Sequence, residues 1–190
     1  YWAGYKEYRR LGHIAKTPRM MGFQAAGSAP LVTNRPCPDP ETVATAIRIG
    51  NPVSAELARS AVSESGGEFN AVTDEEILSA QRLLAGKGGV FAEPASCAPL
   101  AGLIKLRSQE RLPKDIRVAM VLTGSGLKDP ETALEQTGRP IEIEDSLDEL
   151  LKVIMNKFKT LEACCDLVVC AGTDYNALVS SLDFDFNDDV

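Results

Sequence analysis

The sequence predicts an α/β fold, with a parallel or mixed sheet covered by helices on both faces. Three observations lead there. Five short apolar runs, at residues 20–25, 69–72, 90–92, 118–122 and 167–170, are each too brief for a helix. Segments of helical period with readable start signals lie between them. At 190 residues, with 44% hydrophobic and 25% charged residues, the chain can bury a sizeable core without disulfides or metals.

Taken in order, residues 1–8 read as the inside of an amphipathic helix, and the run at 20–25 as the first strand. Asp39 precedes Pro40, and proline lacks the N–H that goes unpaired in a first turn, so this pair predicts a helix running through 42–49. Ser54 is placed to cap a helix that ends near Gly66-Gly67, where positive φ is cheap. After the strand at 69–72, Thr73 and Glu76 have capping-box spacing, and Ile77, Ala80 and Leu84 then share one face of a helix that stops at Gly86. The strand at 90–92 leads to a helix at 96–106, the strand at 118–122 to a helix started by Asp129-Pro130. A second capping box, Ser146 and Glu149, opens a helix over 146–164 whose Leu147, Leu150, Leu151, Ile154, Met155, Phe158 and Leu161 keep i+3/i+4 spacing.

Charge and cysteine usage exclude several classes of function. With 20 basic against 27 acidic residues the net charge is -7, which argues against nucleic acid as a partner. No run of about 20 apolar residues could cross a bilayer. Five cysteines, without a CxxC pair or a disulfide-framework spacing, suit reduced thiols in a cytoplasmic setting. Adjacent Cys164 and Cys165 lack zinc-ligand spacing, so no metal is expected. Nine of the 27 acidic residues but only three of the 20 basic ones lie after residue 145, a shift that suggests two origins. The first residues already read as helix interior, and the last alternate acidic and aromatic residues without a terminator, so the chain is expected to be a fragment.

Two segments carry the chemistry. In Leu122-Thr123-Gly124-Ser125-Gly126-Leu127-Lys128-Asp129-Pro130 a strand runs into glycines and then a capped helix, a turn that allows backbone N–H groups and the Thr123 hydroxyl to approach a ligand closely. It is not a Walker loop, and by pattern alone a simple strand-to-helix turn is the commoner meaning. In Phe91-Ala92-Glu93-Pro94-Ala95-Ser96-Cys97 small residues open a helix beside Glu93, a carboxylate that must either face solvent or pair within a site.

Together with Tyr1-Trp2-Ala3-Gly4-Tyr5-Lys6-Glu7, the stretch from Arg19-Met20-Met21-Gly22-Phe23-Gln24 to Gly27-Ser28-Ala29-Pro30, and Thr45-Ala46-Ile47-Arg48-Ile49-Gly50-Asn51-Pro52, these segments resemble, in order and spacing over residues 1–145, the carboxyl-terminal half of the threonine synthases. The resemblance implies an incomplete fold-type II large domain, a three-layer helix/sheet/helix arrangement with a mostly parallel sheet. It implies pyridoxal 5'-phosphate as cofactor, O-phosphohomoserine as small-molecule substrate, conversion to threonine and phosphate, and a homodimer of the parent enzyme. Thr123 matches the family hydroxyl that meets the pyridine nitrogen; Gly124, Ser125 and Gly126 shape the turn beside it, with Ser125 where the family usually has His; Glu93 and Ser96 sit near the ring, and Gln24, Ser28 and Asn51 are further candidates. The family's Schiff-base lysine and its glycine- and asparagine-rich phosphate loop have no match in this chain, and Lys6 and Lys128 read as solvated charges, so no catalytic residue is assigned and the chain alone is expected to be inactive. Residues 146–190 resemble part of the amino-terminal domain of phosphate acetyltransferases, again without its phosphate loop. Another fold-type II activity, such as a threonine dehydratase or a cysteate synthase, and a non-catalytic α/β scaffold remain the alternatives.

Overall fold

Two of the five apolar runs pair with each other in the computed structural model, which describes residues 1–137, 142–144 and 146–161. After α1 (Trp2–Arg10), strand β1 (Gly22–Ala25) lies parallel to β2 (Phe69–Val72), with Gly22 opposite Phe69 and Ala25 opposite Val72. Parallel neighbours need a long crossover. Here it contains α2 (Pro30–Thr33) and α3 (Ala55–Ser65). Helices α4 (Asp74–Gly88), α5 (Pro94–Ser108) and α6 (Pro130–Thr137) follow, completing an α/β arrangement. The chain divides into two compact units, Tyr1–Ala133 and Leu134–Val190.

The core of the first unit lies where α4 and α5 pack together and α5 meets the sheet. Ile77, Ala80 and Leu84 of α4 are buried, as are Ala25, Val72, Ala98, Ala101 and Leu106. Small residues on α5 set the spacing: a Cβ on Gly102 would overlap the Phe23 ring of β1. Lys105 fastens the same helix to the strand behind it, its Nζ donating to the Ala71 carbonyl and to the Glu76 carboxylate at 3.1 Å each. Glu76 is itself half of the capping box expected from the sequence. Glu76 N–H donates to Thr73 Oγ1 at 3.1 Å and Thr73 N–H to the Glu76 carboxylate at 2.7 Å. The helix runs to Gly88, two residues past the expected stop, because the left-handed position that ends it is Gly89 (φ 66°).

Three expectations need correction. Residues 42–49 form no helix beyond a single 3-10 turn at Thr45–Ile47. The Asp74 carboxylate at the start of α4 instead accepts from the Thr42 hydroxyl and, at 3.0 Å, from Val43 N–H, while the Arg48 guanidinium donates to the Thr42 carbonyl. These tertiary bonds occupy groups that a helix would have used. The runs at 90–92 and 118–122 form no ladder; one isolated antiparallel bridge joins Ala92 to Ser125. Pro94 turns the first into α5 at once, and residues 118–122 have no ladder partner among the described residues, leaving Val118 and Val121 exposed. A strand needs a neighbour, and none of the described segments supplies one.

In the second unit α7 (Leu147–Leu161) forms as expected, but its capping box is half made. Glu149 N–H donates to Ser146 Oγ at 3.5 Å, whereas the Glu149 carboxylate accepts from Glu144 N–H at 2.8 Å rather than returning to Ser146. Leu147, Leu150, Leu151, Ile154 and Met155 are all exposed on it. The expected end of this helix at Cys164 and the strand at 167–170 lie outside the described residues.

Helix α1 is held to α3 by one carboxylate. Glu64 accepts from Ser60 Oγ at 2.6 Å, from Lys6 Nζ at 2.8 Å and from Trp2 Nε1 at 2.9 Å. The hydrogen bond from Lys6, then those from Ser60 and Trp2, push its pKa down to about 2 from an ordinary 4.5. A carboxyl depressed in the folded state contributes stability that is complete above its unfolded value and is lost as pH falls through the folded one. We therefore expect α1 to loosen from α3 between about pH 4.5 and 2. Trp2 is the one tryptophan, so its fluorescence reads this contact directly. In Glu64→Gln the transition should vanish, with the α1 contact already weakened at neutral pH.

Candidate functional site

Helix α5 begins where the chain leaves its third apolar run, and Glu93 occupies the cap position with Pro94 as first helical residue. Proline fits there because its missing N–H needs no partner. This brings Glu93 and Ser96 to the end of α5 that faces the glycine turn at 123–126. Glu93 N–H donates to the Gly124 carbonyl and Gly126 N–H to the Phe91 carbonyl, both at 3.0 Å, so the Ala92–Ser125 bridge is closed from each side. Side chains complete the link. Gly124 N–H donates to Ser96 Oγ at 2.9 Å, Ser96 Oγ lies 2.8 Å from Thr123 Oγ1, and Thr123 Oγ1 donates to Glu93 Oε1 at 3.4 Å.

Lack of a side chain is what permits this at Gly124 and Gly126. A Cβ on Gly124 would fall on the Glu93 carboxylate, and one on Gly126 would meet the Phe91 ring. Glu93 and Ser96 are buried, at 8% and 1% exposure, whereas Thr123 is exposed. A buried carboxylate and a buried hydroxyl thus stand behind the hydroxyl of an exposed residue. Next to Ser96, the fully buried Cys97 thiol is pushed up to about 12, chiefly by burial and secondarily by the Glu93 charge, which keeps it protonated and unreactive. The second free cysteine among the described residues, Cys37, is half-buried.

The other residues singled out by sequence lie apart from this cluster in their bonding. Ser125 uses its hydroxyl locally, accepting from Leu127 N–H at 3.3 Å at the start of a 3-10 turn. Gln24 Oε1 accepts from Leu31 N–H at 2.8 Å, at the first turn of α2. Ser28 is buried, donating to the Ile47 carbonyl at 3.2 Å and accepting from Ile49 N–H at 3.0 Å. Asn51 is exposed. Sequence reasoning missed Gln81, a buried residue of α4 whose Nε2 donates to the Ala92 carbonyl at 2.7 Å and so holds the residue before Glu93. A polar side chain on the apolar face of that helix, between Ala80 and Leu84, was the available signal.

Two hydroxyls, a carboxylate and a backbone N–H thus converge beside small residues. Among the described residues no group of three or more His, Cys, Asp or Glu could hold a metal ion, and no helix is long and apolar enough to cross a membrane.

Comparison with known proteins bears on the same segments. A family model described as pyridoxal-phosphate dependent enzyme matches residues 1–124. Threonine synthase from Synechocystis sp. is 53% identical over 141 residues, covering 74% of this chain and 36% of that protein. Threonine synthase from Methanocaldococcus jannaschii is 45% identical over 161 residues, covering 80% of this chain and 40% of that protein. The chain therefore spans well under half the length of these curated relatives. Among solved structures, an O-ureido-L-serine-bound mutant of O-ureido-L-serine synthase superposes with a TM-score of 0.52 at 16% identity, over 80% of this chain and 41% of that one, a likeness of fold.

Removing the Ser96 hydroxyl strips Gly124 N–H of its acceptor and Thr123 of its neighbour. Ser96→Ala should destabilise the chain by about 1–3 kcal/mol, the range for leaving a buried donor unpaired. Urea unfolding checks this, and Ser96→Thr, which keeps the hydroxyl, should recover part of the loss.

Proposed function

Because this chain belongs to the pyridoxal-phosphate dependent enzyme family, we propose that it forms the ring-nitrogen side of a threonine synthase active site, with O-phosphohomoserine as the substrate class. The convergence of Thr123, Ser96 and Glu93 carries this reading, since it joins two segments separated by 27 residues around the hydroxyl of an exposed threonine. Thr123 would hold the pyridine nitrogen, Ser96 would hold Thr123 in place, and Gly124 and Gly126 would keep side chains out of the turn. When bound, pyridoxal phosphate supplies the electron sink for chemistry at the substrate's carbon skeleton. The chain's own residues position the ring and exclude alternatives to that geometry; none is proposed to exchange protons with substrate.

High identity to two threonine synthases over more than 130 residues supports threonine synthase over other members of the family. The lysine that anchors the cofactor and the loop that takes its phosphate would come from the portion of the relatives that this chain does not match. We propose that the end of the chain is a segment of separate origin, beginning later than residue 145, because the Methanocaldococcus jannaschii relative matches 80% of the chain.

The test pairs the full chain with the separately produced amino-terminal portion of the Synechocystis relative. Borohydride reduction in the presence of pyridoxal phosphate should leave no specific covalent label on this chain alone. In the mixture it should label the amino-terminal portion, and the same mixture before reduction should release phosphate from O-phosphohomoserine. Specific labelling of this chain by itself, or no association and no cofactor retention in the mixture, would overturn the proposal.

A further inference from the structure

Resting on the cofactor reading above, we infer that Gln81 is a positioning residue of the same site: its side-chain amide stands in for a neighbouring strand on the far side of residues 91–93, and so sets where the glycine turn meets a bound ring. In an antiparallel pair, facing residues alternate between those that exchange both backbone bonds and those that exchange none. Ala92 and Ser125 are of the second kind, since the bonds that flank them run from Glu93 N–H to the Gly124 carbonyl and from Gly126 N–H to the Phe91 carbonyl. The Ala92 carbonyl therefore points away from the turn. Ala92 is only 2% exposed, and a buried carbonyl needs a donor.

In a sheet that donor would be the next strand. Here it is Gln81, buried on α4, whose Nε2 lies 2.7 Å from the Ala92 carbonyl. A carbonyl can only accept, so the amide presents its nitrogen end. The helix behind Gln81 is itself fixed. Its Asp74 carboxylate accepts from Val43 N–H, its Glu76 carboxylate from Lys105 of α5, and Ile77, Ala80 and Leu84 are buried. A well-anchored helix thus hands its position to residues 91–93 through one side chain, and these pass it to the turn through the two flanking backbone bonds. An apolar side chain of similar length would fill the space yet leave the carbonyl unpaired. Residues 91–93 would then be free to shift, and Thr123 with the turn.

The test has two readouts, the first of which needs no cofactor. Amide hydrogen exchange of the full chain, followed by NMR, should show Gln81→Met lowering the protection of the Glu93 and Gly126 amides by about tenfold, as loss of one hydrogen bond to a buried carbonyl gives, while amides of the β1–β2 ladder keep theirs. Gln81→Glu offers the same donor at the same reach only while its carboxyl is protonated. Protection in that variant, relative to wild type at the same pH, should therefore recover as pH falls and drop as pH rises. The second readout is a titration with pyridoxal phosphate of the mixture with the amino-terminal portion of the Synechocystis relative. Gln81→Met should raise the cofactor's dissociation constant by about tenfold and change the absorbance of the bound ring, and Gln81→Glu should follow the same pH dependence as its exchange. Equal loss of protection throughout the first unit would mean a merely structural role, and unchanged protection at Glu93 and Gly126 would mean that the amide does not hold the turn. Local loss with unchanged cofactor affinity would mean that the turn's place is indifferent to the ring. Each of these overturns the inference while sparing the cofactor reading. Failure of the wild-type mixture to retain the cofactor overturns the cofactor reading itself, and the inference with it.

Discussion

Helix α5 can lie against β1 only because Gly102 has no side chain where the Phe23 ring sits, and the rest of the first unit is arranged around that contact. With the helix so close, Lys105 reaches the Ala71 carbonyl of β2 and the Glu76 carboxylate of the α4 cap. One helix therefore touches both strands and the helix beside it. Its other end carries Glu93 and Ser96, so the same packing that closes the core also sets the height at which these two meet the glycine turn. A larger residue at 102 would have to be accommodated by sliding α5, and movement of a helix by even part of a turn would misalign donors and acceptors that depend on contacts of about 3 Å.

Local signals were the legible ones. The capping box at Thr73 and Glu76 and the glycine after α3 each act within one turn of chain, and each appears where the residues place it. The first two strands were legible too, since both are apolar and flanked by turns. Residues 42–49 were not, because the decisive partner is Asp74, some 30 residues away, and nothing in a local period announces it. The run at 118–122 has the composition of a strand but no ladder among the described residues, since pairing depends on a neighbour as much as on composition.

The site followed the same division. Thr123, Gly124 and Gly126 could be picked out through the family resemblance, since by pattern alone a strand running into glycines is more often a plain turn, and Glu93 because a carboxylate beside apolar residues needs a reason. Their mutual geometry could not be read, since it arises from the Ala92–Ser125 bridge, a contact between segments more than 30 residues apart. Gln81 belongs to that hidden part. Its bond to the Ala92 carbonyl holds the bridge from behind, while the sequence shows only a polar residue among apolar ones on a helix face.

Thr123 differs from its two partners in how it is held. Glu93 and Ser96 are buried at the start of a long, well-packed helix, whereas Thr123 follows directly on residues 118–122, which have no ladder partner among the described residues. Its hydroxyl is therefore fixed from one side alone, by Ser96 and Glu93. Any segment that paired with 118–122 would bury Val118 and Val121 and, through the continuous backbone, restrict Thr123 as well. Pairing there and ordering of the site are thermodynamically linked, because a partner that binds the ordered form of the turn shifts its equilibrium toward that form. Ser96 and Glu93 are set by α5, and Thr123 takes its place from its bonds to them.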